Sequence, residues 1–211
     1  MSKLKKSIIF LSISSLFACT NPSPKFALQS GDLLFRGATS GQLSKAIDKV
    51  TQTAEATHFS HVGLVEVSDT GVLVLHASPE GGTCVVSLHQ FLHPQDDSVK
   101  VVAYRLKEEW TKSIPAALIK AKQLLGKPYN FSYILSDTTL YCSEFVYLAF
   151  AADSVFTLEP MTFKDPENGN FPSVWKEYYQ KMGLDIPEGL PGCNPNGLAA
   201  SSRLERLGQI E

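Results

Sequence analysis

Four cysteines and five histidines are the side chains of this sequence that could supply a thiol nucleophile and its base. Cys142 is the strongest candidate nucleophile, because Asp137, Thr138 and Thr139 can cap a helix that begins close to it. In the first turn of a helix, unpaired backbone N–H groups and the helix dipole favour the thiolate. Cysteine is also commonly buried, so the local sequence alone leaves a structural role open.

Two histidines lie where a base for that nucleophile could come from. Residues 61–67 and 71–77 are β-rich runs joined by three polar residues, which predicts a hairpin. With a two-residue turn, Gly63 faces His76, and His61 and His76 become diagonal neighbours on one face. One imidazole could then take the thiol proton while the other orients it. A three-residue turn would separate them, and two structural histidines are the alternative.

The elements around these residues predict an α+β fold with an antiparallel sheet, since strands in the middle are flanked by helices. The length of 211 residues suits one domain, which we place at residues 30–211. Besides the hairpin, strands are predicted at 31–35, 84–88 and 99–106, helices at 40–50, 113–125, 142–153 and 172–183, and a short last helix after a Pro/Gly loop at 186–195.

The N-terminus predicts export. Three lysines precede an apolar run over 8–17, which is the layout of a secretory signal and too short for a membrane span. The signal, residues 1–18, ends in Leu-Phe-Ala before Cys19, which resembles a bacterial lipobox and implies a lipid on Cys19. Residues 19–29 would then be a lipidated tether. Because Thr20 is not aspartate, we expect the periplasmic face of the outer membrane if the host has two membranes; an ordinary cleaved signal with a free Cys19 thiol is the alternative.

The net charge and the spacing of possible metal ligands limit the classes of partner that the sequence supports. The 19 Lys and Arg against 21 Asp and Glu leave no basic excess for a nucleic-acid partner. His58 and His61 are three residues apart, but no glutamate base or third ligand accompanies them, so no metal site or cofactor is predicted. A disulfide between Cys84 and Cys193 is a hypothesis that an oxidising compartment allows.

Four short motifs carry a resemblance to a known family. They are Gly-Asp-Leu-Leu-Phe at 31–35, Phe-Ser-His-Val-Gly-Leu-Val at 59–65, Gly-Lys-Pro-Tyr at 126–129 and Tyr-Cys-Ser-Glu at 141–144. Together they resemble the YaeF/YiiX type of NlpC-like cysteine hydrolase over about residues 31–150, and the 186–195 loop resembles lipoprotein members. The resemblance implies a circularly permuted papain-like fold, in which the histidine precedes the cysteine in the chain.

The resemblance also implies roles for individual residues. Cys142 would be the nucleophile, His61 the base and His76 the residue that orients it, with acyl transfer through a thioester. Many relatives use glutamate at the third position, whereas the two histidines match lecithin:retinol acyltransferase-like relatives. The Cys142 backbone N–H is the natural donor to the oxyanion, and Tyr129 lies in a family-like loop that could line a substrate pocket or simply pack.

Three functions follow from these expectations. The first is an envelope-anchored amidase or peptidase that acts on a peptide, such as one of peptidoglycan, or on another acyl amide or ester. The second is a lipid acyltransferase or phospholipid deacylase, which the two histidines suggest. The third is a binding module that keeps the fold without turnover.

Overall fold

The architecture is α+β, as predicted, with a six-stranded antiparallel sheet whose strands, from one edge to the other, are Gly82–Ser87, Gly71–Ser78, His61–Ser68, Leu33–Arg36, Val101–Leu106 and Leu204–Ile210. The computed structural model describes residues 26–38, 40–54, 57–94 and 99–210, so the predicted signal and Cys19 lie outside it. The strands are β1 (Leu33–Arg36), β2 (His61–Ser68), β3 (Gly71–Ser78), β4 (Gly82–Ser87), β5 (Val101–Leu106), β6 (Glu159–Pro160), β7 (Pro191–Gly192) and β8 (Leu204–Ile210), and the helices are α1 (Gln42–Val50), α2 (Leu88–Leu92), α3 (Ile114–Gln123), α4 (Cys142–Ala149), α5 (Ser173–Met182) and α6 (Pro195–Ala199). No helix among these described residues is long and apolar enough to cross a bilayer.

The two faces of the sheet carry separate cores, because successive strand residues point to opposite sides. On the first face, α4 packs on β2 and β3 and buries Phe145 and Val146 with Leu64. On the second face, Phe91 of α2 is buried with Val65. A third cluster joins α1 to α5 and contains Trp175 and Tyr179. The sheet is therefore covered on both sides.

The β2–β3 hairpin has the predicted register. Ser68 pairs with Gly71 across a two-residue turn, and the pairing continues to Leu64 and Leu75. Gly63 packs tightly on the second face, since a Cβ there would lie 2.5 Å from Val74 Cγ1. This register places His61 and His76 together, as expected.

The C-terminal segment departs from the prediction. After α6, residues 204–210 form β8, an edge strand paired with β5, and no element was predicted there beyond a short helix. The buried or part-buried residues Leu204, Leu207 and Ile210 are spaced three apart, which does not alternate as a strand should. The register shift between Ala103 and Tyr104 explains this spacing, because a bulge inserts one extra residue and changes the face that follows.

Smaller differences concern the ends of elements. The segment predicted as a strand at 84–88 starts earlier and is followed directly by α2. The helix predicted over 142–153 is α4 followed by a separate 3-10 turn at Ala151–Asp153. The helix predicted from 113 is preceded by a 3-10 helix at Glu108–Ser113, and Ser113 Oγ donates to the Trp110 carbonyl instead of capping α3.

Asn196 of α6 ties the C-terminal segment to the strand that carries His61. Its Oδ1 accepts the Phe59 backbone N–H at 2.8 Å, and its Nδ2 donates to Asp48 Oδ1 at 3.2 Å and Thr51 Oγ1 at 2.9 Å. The side chain is fully buried, so these bonds have no competition from water. The residues just before His61 are thereby fixed to α1 and to α6 together.

Candidate active site

Cys142 is the first residue of α4, as the sequence predicted, and only 5% of it is exposed. The Glu144 carboxylate secures the loop that leads to it, accepting the Tyr141 backbone N–H at 3.2 Å and the Ser136 backbone N–H at 3.0 Å. Glu144 is itself buried. A buried carboxylate bonded to two amides holds this helix start, which is the role of a capping box.

His61 and His76 form a buried pair. His61 Nε2 lies 2.8 Å from His76 Nδ1, and the two rings are nearly perpendicular. Because His61 uses Nε2 in this bond, Nδ1 is the nitrogen that remains for proton transfer. For Nδ1 to be free of hydrogen, Nε2 must donate to His76, which then carries its own hydrogen on Nε2. That His76 atom is buried and has no partner among the described residues.

The Cys142 thiol lies close to the beginning of β2, the strand that carries His61. The pairing of β2 with β3 ends at Leu64, so Val62 lies beyond the last paired position. Its backbone N–H lies against Cys142 Sγ, beside the amides of Ser143 and of Cys142 itself. In the part of the chain that the structure describes, neither imidazole is hydrogen-bonded to the thiol. The structure thus joins the two histidines directly and sets the sulfur beside the residue that follows His61.

The protonation states differ from the sequence-based expectation. Burial raises the pKa of Cys142 to about 11, although the amides of Val62 and Ser143 and the Arg36 cation oppose this. The amides at the helix start favour the thiolate, in the expected direction, but the cost of burying the anion exceeds their effect, so the pKa of Cys142 is raised. Burial also lowers the pKa of His61 well below its ordinary value, with smaller contributions from Arg36 and His76. At neutral pH the site holds a thiol and neutral imidazoles.

A cavity of about 550 Å³ opens beside Cys142. Tyr129, Tyr133 and Cys193 line it, and Tyr129 is also packed in the buried core, so both positions expected for that residue are present. Neither histidine is among the lining residues. Its charged lining residues within the described chain are Glu159 and Arg203, and the remainder is aromatic, aliphatic or neutral polar. Such a lining suits an uncharged organic group.

The C-terminal segment forms one wall of this cavity. Ser143 Oγ donates to the Cys193 carbonyl at 3.0 Å, and the Cys193 backbone N–H donates to the Tyr141 hydroxyl at 3.2 Å. These bonds bracket Cys142 on both sides in sequence. The segment that follows α4 therefore shapes the pocket instead of only covering the core.

Several other candidate residues take no part in this arrangement. Cys84 and Cys193 are both free thiols, so the structure contains no disulfide between them. His58 bonds to Asp48 at 3.2 Å and His61 bonds to His76, so the two do not converge as ligands. The described residues contain no group of three or more His, Cys, Asp or Glu side chains that could hold a metal ion.

The comparison with family models decides the family. The model of the permuted papain-like amidase enzymes, YaeF/YiiX, C92 family, matches residues 27–208. The chain belongs to this family. The C92 family is one of papain-like cysteine hydrolases, and the mixed helices and antiparallel sheet agree with its permuted fold.

Two relatives place the chain within the C92 family. It is 34% identical over 168 residues to the uncharacterized protein YiiX of Escherichia coli strain K12, over 78% of this chain and 79% of the relative. It is also similar to the crystal structure of the metalloprotein YiiX from Escherichia coli O157:H7, with a TM-score of 0.65 and 26% identity, over 84% of this chain and 95% of the other.

Proposed function

We propose that this protein is a lipid-anchored cysteine amidase or peptidase of the cell envelope that works through a thioester on Cys142. Membership of the C92 family supports the class of reaction. The position of Cys142 at the start of α4 and at the cavity wall supports its role as nucleophile. Cell-wall peptide is the substrate we expect from family analogy, with the lipid on Cys19 holding the enzyme near that polymer.

The observation that carries the proposal is the 2.8 Å bond between the buried imidazoles of His61 and His76. In an apolar environment, two neutral histidines stabilise the fold little more than an aromatic side chain would. A catalytic base, in contrast, needs a partner that fixes its tautomer. His76 supplies that partner. His61 can then present Nδ1 as an acceptor.

The reaction proceeds as acyl transfer. The proton on Cys142 Sγ passes to His61 Nδ1 as the sulfur attacks the substrate carbonyl, because the thiol is neutral beforehand. The His61 ring packs on Phe91 of the second face, whereas Cys142 belongs to the core of the first face, so this step requires the imidazole and the thiol to approach each other in the substrate complex. The Cys142 backbone N–H at the start of α4 donates to the oxyanion. His61 then protonates the leaving amine, and water, activated by His61, releases the acyl group from the sulfur.

Trapping the acyl-enzyme tests this proposal. The full protein is incubated with cell-wall fragments, quenched in acid and digested, and the peptide that contains Cys142 is weighed by mass spectrometry. We expect an acyl adduct on that peptide, absent from C142A and retained in the matched thiol variant C84A. Turnover that survives in C142A, or an adduct confined to Cys84 or Cys193, would contradict the assignment. Turnover absent from every substrate class tested would favour the binding module.

A lipid acyl reaction is a second candidate, because two observations favour it. The third site residue is a histidine, and the cavity next to Cys142 carries few charges. The same experiment with phospholipid vesicles separates the two functions by the mass of the adduct. A fatty acyl mass supports the lipid reaction, and a peptidyl mass supports the amidase.

The lipid anchor requires its own test, because Cys19 lies outside the described residues. Cells that express the full chain are fed a labelled fatty acid, and the protein is isolated. Label should appear in the wild type and in C84S but not in C19A. Label that persists in C19A would remove the lipid anchor and leave an ordinary exported protein. Fractionation of the labelled cells then tests the expected outer-membrane placement.

A further inference from the structure

Arg36 stands beside the imidazole pair without a role in the mechanism. It is the last residue of β1 and pairs with His61 across the β1–β2 ladder. Its Nη1 donates to the Phe91 carbonyl at 3.3 Å, and its Nε is buried and has no partner in the described residues. A half-buried guanidinium with an unused donor is costly to keep, so a gain elsewhere must offset it.

Phe91 connects Arg36 to both histidines. The Arg36 guanidinium carbon lies 5.2 Å from the centre of the Phe91 ring, a cation–π contact. The same ring lies 5.7 Å from the His61 ring and 5.4 Å from the His76 ring. Arg36 holds the carbonyl of Phe91 and covers its ring, so it fixes the surface on which both imidazoles pack.

The charge of Arg36 reaches all three groups of the site. Burial is the largest cause that lowers the pKa of His76 to about 4, and Arg36 adds to it. Arg36 likewise acts on His61, and it lowers the pKa of Cys142 against the effect of burial. A fixed cation therefore favours neutral imidazoles and, at the same time, an anionic sulfur.

The other titratable groups around the pair come from each element packed on it. Glu80, in the turn after β3, acts on Arg36 and opposes the effect of burial on its pKa, as Cys142 and Tyr129 also do. Cys84 of β4 is paired with His76. From α2 the pair meets the uncharged ring of Phe91.

We propose that Arg36 is a positioning residue of the imidazole pair: it fixes Phe91 beneath both rings and keeps a permanent positive charge next to them, so that both imidazoles remain unprotonated and able to accept a proton. The consequence for catalysis rests on the proposed function. The effect on the histidines themselves does not, because it can be measured without substrate.

Proton NMR titration of the imidazoles in the full chain tests the inference. The five histidines are separated by single His→Gln variants, and His61 and His76 are followed in the wild type, R36M, R36K and R206M. We expect His76 to titrate near pH 4 in the wild type. Both imidazoles should rise by about one pH unit in R36M, which is the order of magnitude for removing a nearby like charge. R36K, which keeps the charge, should restore most of the wild-type behaviour. R206M removes the same charge from an exposed position on β8 and should change nothing.

The outcomes are distinct. Unchanged imidazoles in a folded R36M, or equal effects of R36M and R36K, would overturn the role of the charge. If circular dichroism shows that R36M does not fold, R36Q is used in its place for the same titration. A His76 imidazole that titrates at or above pH 6.5 in the wild type would overturn the inference without any variant. Once a substrate is known, the acid limb of kcat/KM should move upward in R36M by the same amount. Activity that survives in C142A with normal imidazole titration would overturn the proposed function and leave the inference about Arg36 unaffected.

Discussion

Acidification from pH 7 to pH 4 should destabilise this protein largely through its buried histidine pair. Burial lowers the pKa of His76 from 6.5 to about 4 in the folded state. Below pH 6.5 His76 becomes protonated in the unfolded chain but stays neutral in the folded protein, so the free energy of unfolding falls as the pH falls. Only below about pH 4 does the folded state accept the proton as well. The pKa of His61 is lowered too, so its contribution has the same sign.

The size of the His76 contribution follows from that difference. The pKa falls from 6.5 to about 4, and one pKa unit corresponds to about 1.4 kcal/mol. With the folded-state site half protonated at pH 4, His76 should account for about 3 kcal/mol of lost stability between pH 7 and pH 4. That is a large fraction of the stability of a typical domain.

Urea unfolding at the two pH values measures this loss. H76N keeps a polar group near the position of Nδ1 but does not titrate, so it should lose about 3 kcal/mol less than the wild type over the same interval. H89Q, which changes an exposed histidine, should lose as much as the wild type. Losses in H76N and the wild type that agree within about 0.5 kcal/mol, a difference that urea data resolve, would refute the burial argument.

Three further predictions concern separate features. Alkylation of Cys142 by iodoacetamide should rise about tenfold per pH unit up to about pH 11, because only the thiolate reacts and its pKa is raised to about 11. G63A should lower the free energy of unfolding by about 1–3 kcal/mol, since the new Cβ would lie 2.9 Å from Phe91 Cε2. R105M should cost about 3 kcal/mol, because it removes the 2.7 Å and 2.8 Å bonds from Arg105 to the buried Asp32 carboxylate.

Matched variants keep these tests specific. The alkylation rate is read on the digested peptide, and a rate that levels off near pH 7 would mean a resting thiolate. G197A serves as the control for G63A, since the nearest atom to a Cβ at Gly197 is 3.4 Å away, and equal losses would contradict the packing explanation. R206M serves as the control for R105M. If the urea unfolding midpoints of R105M and R206M are equal, the Asp32 carboxylate must find other hydrogen-bond donors when Arg105 is removed.

The hairpin could be predicted from sequence because its information is local. The two runs of β-rich residues and the short polar turn determine which residues face each other, and the face of His76 follows from that count. The helix start at Cys142 is local in the same sense, although the N-cap residue is Tyr141 and Glu144 holds it, instead of the expected caps Asp137, Thr138 and Thr139. These two local patterns, joined by the resemblance to a family, were enough to name the candidate nucleophile and base.

The protonation of the site could not be predicted in that way, because burial is a property of the whole fold. Cys142 loses water through the packing of α4 on β2, whose residues are far away in the chain. Arg36 was overlooked for a similar reason: its closeness to His61 arises from the β1–β2 register and from Phe91 of α2. β8 was missed because a bulge disguises the alternation that identifies strands.

The buried tie at Asn196 has a consequence for the order of events during synthesis. The backbone amide of Phe59, two residues before the proposed base, finds its hydrogen-bond acceptor 137 positions further along the chain. A nascent polypeptide that has emerged from the ribosome only through α4 would already contain both histidines and the cysteine, yet it would lack the side chain that anchors their strand. Competence for the reaction should therefore arise late, only after the last helix and the edge strand have been released, and truncation before residue 196 should leave a chain that contains every proposed reactive group and remains inactive.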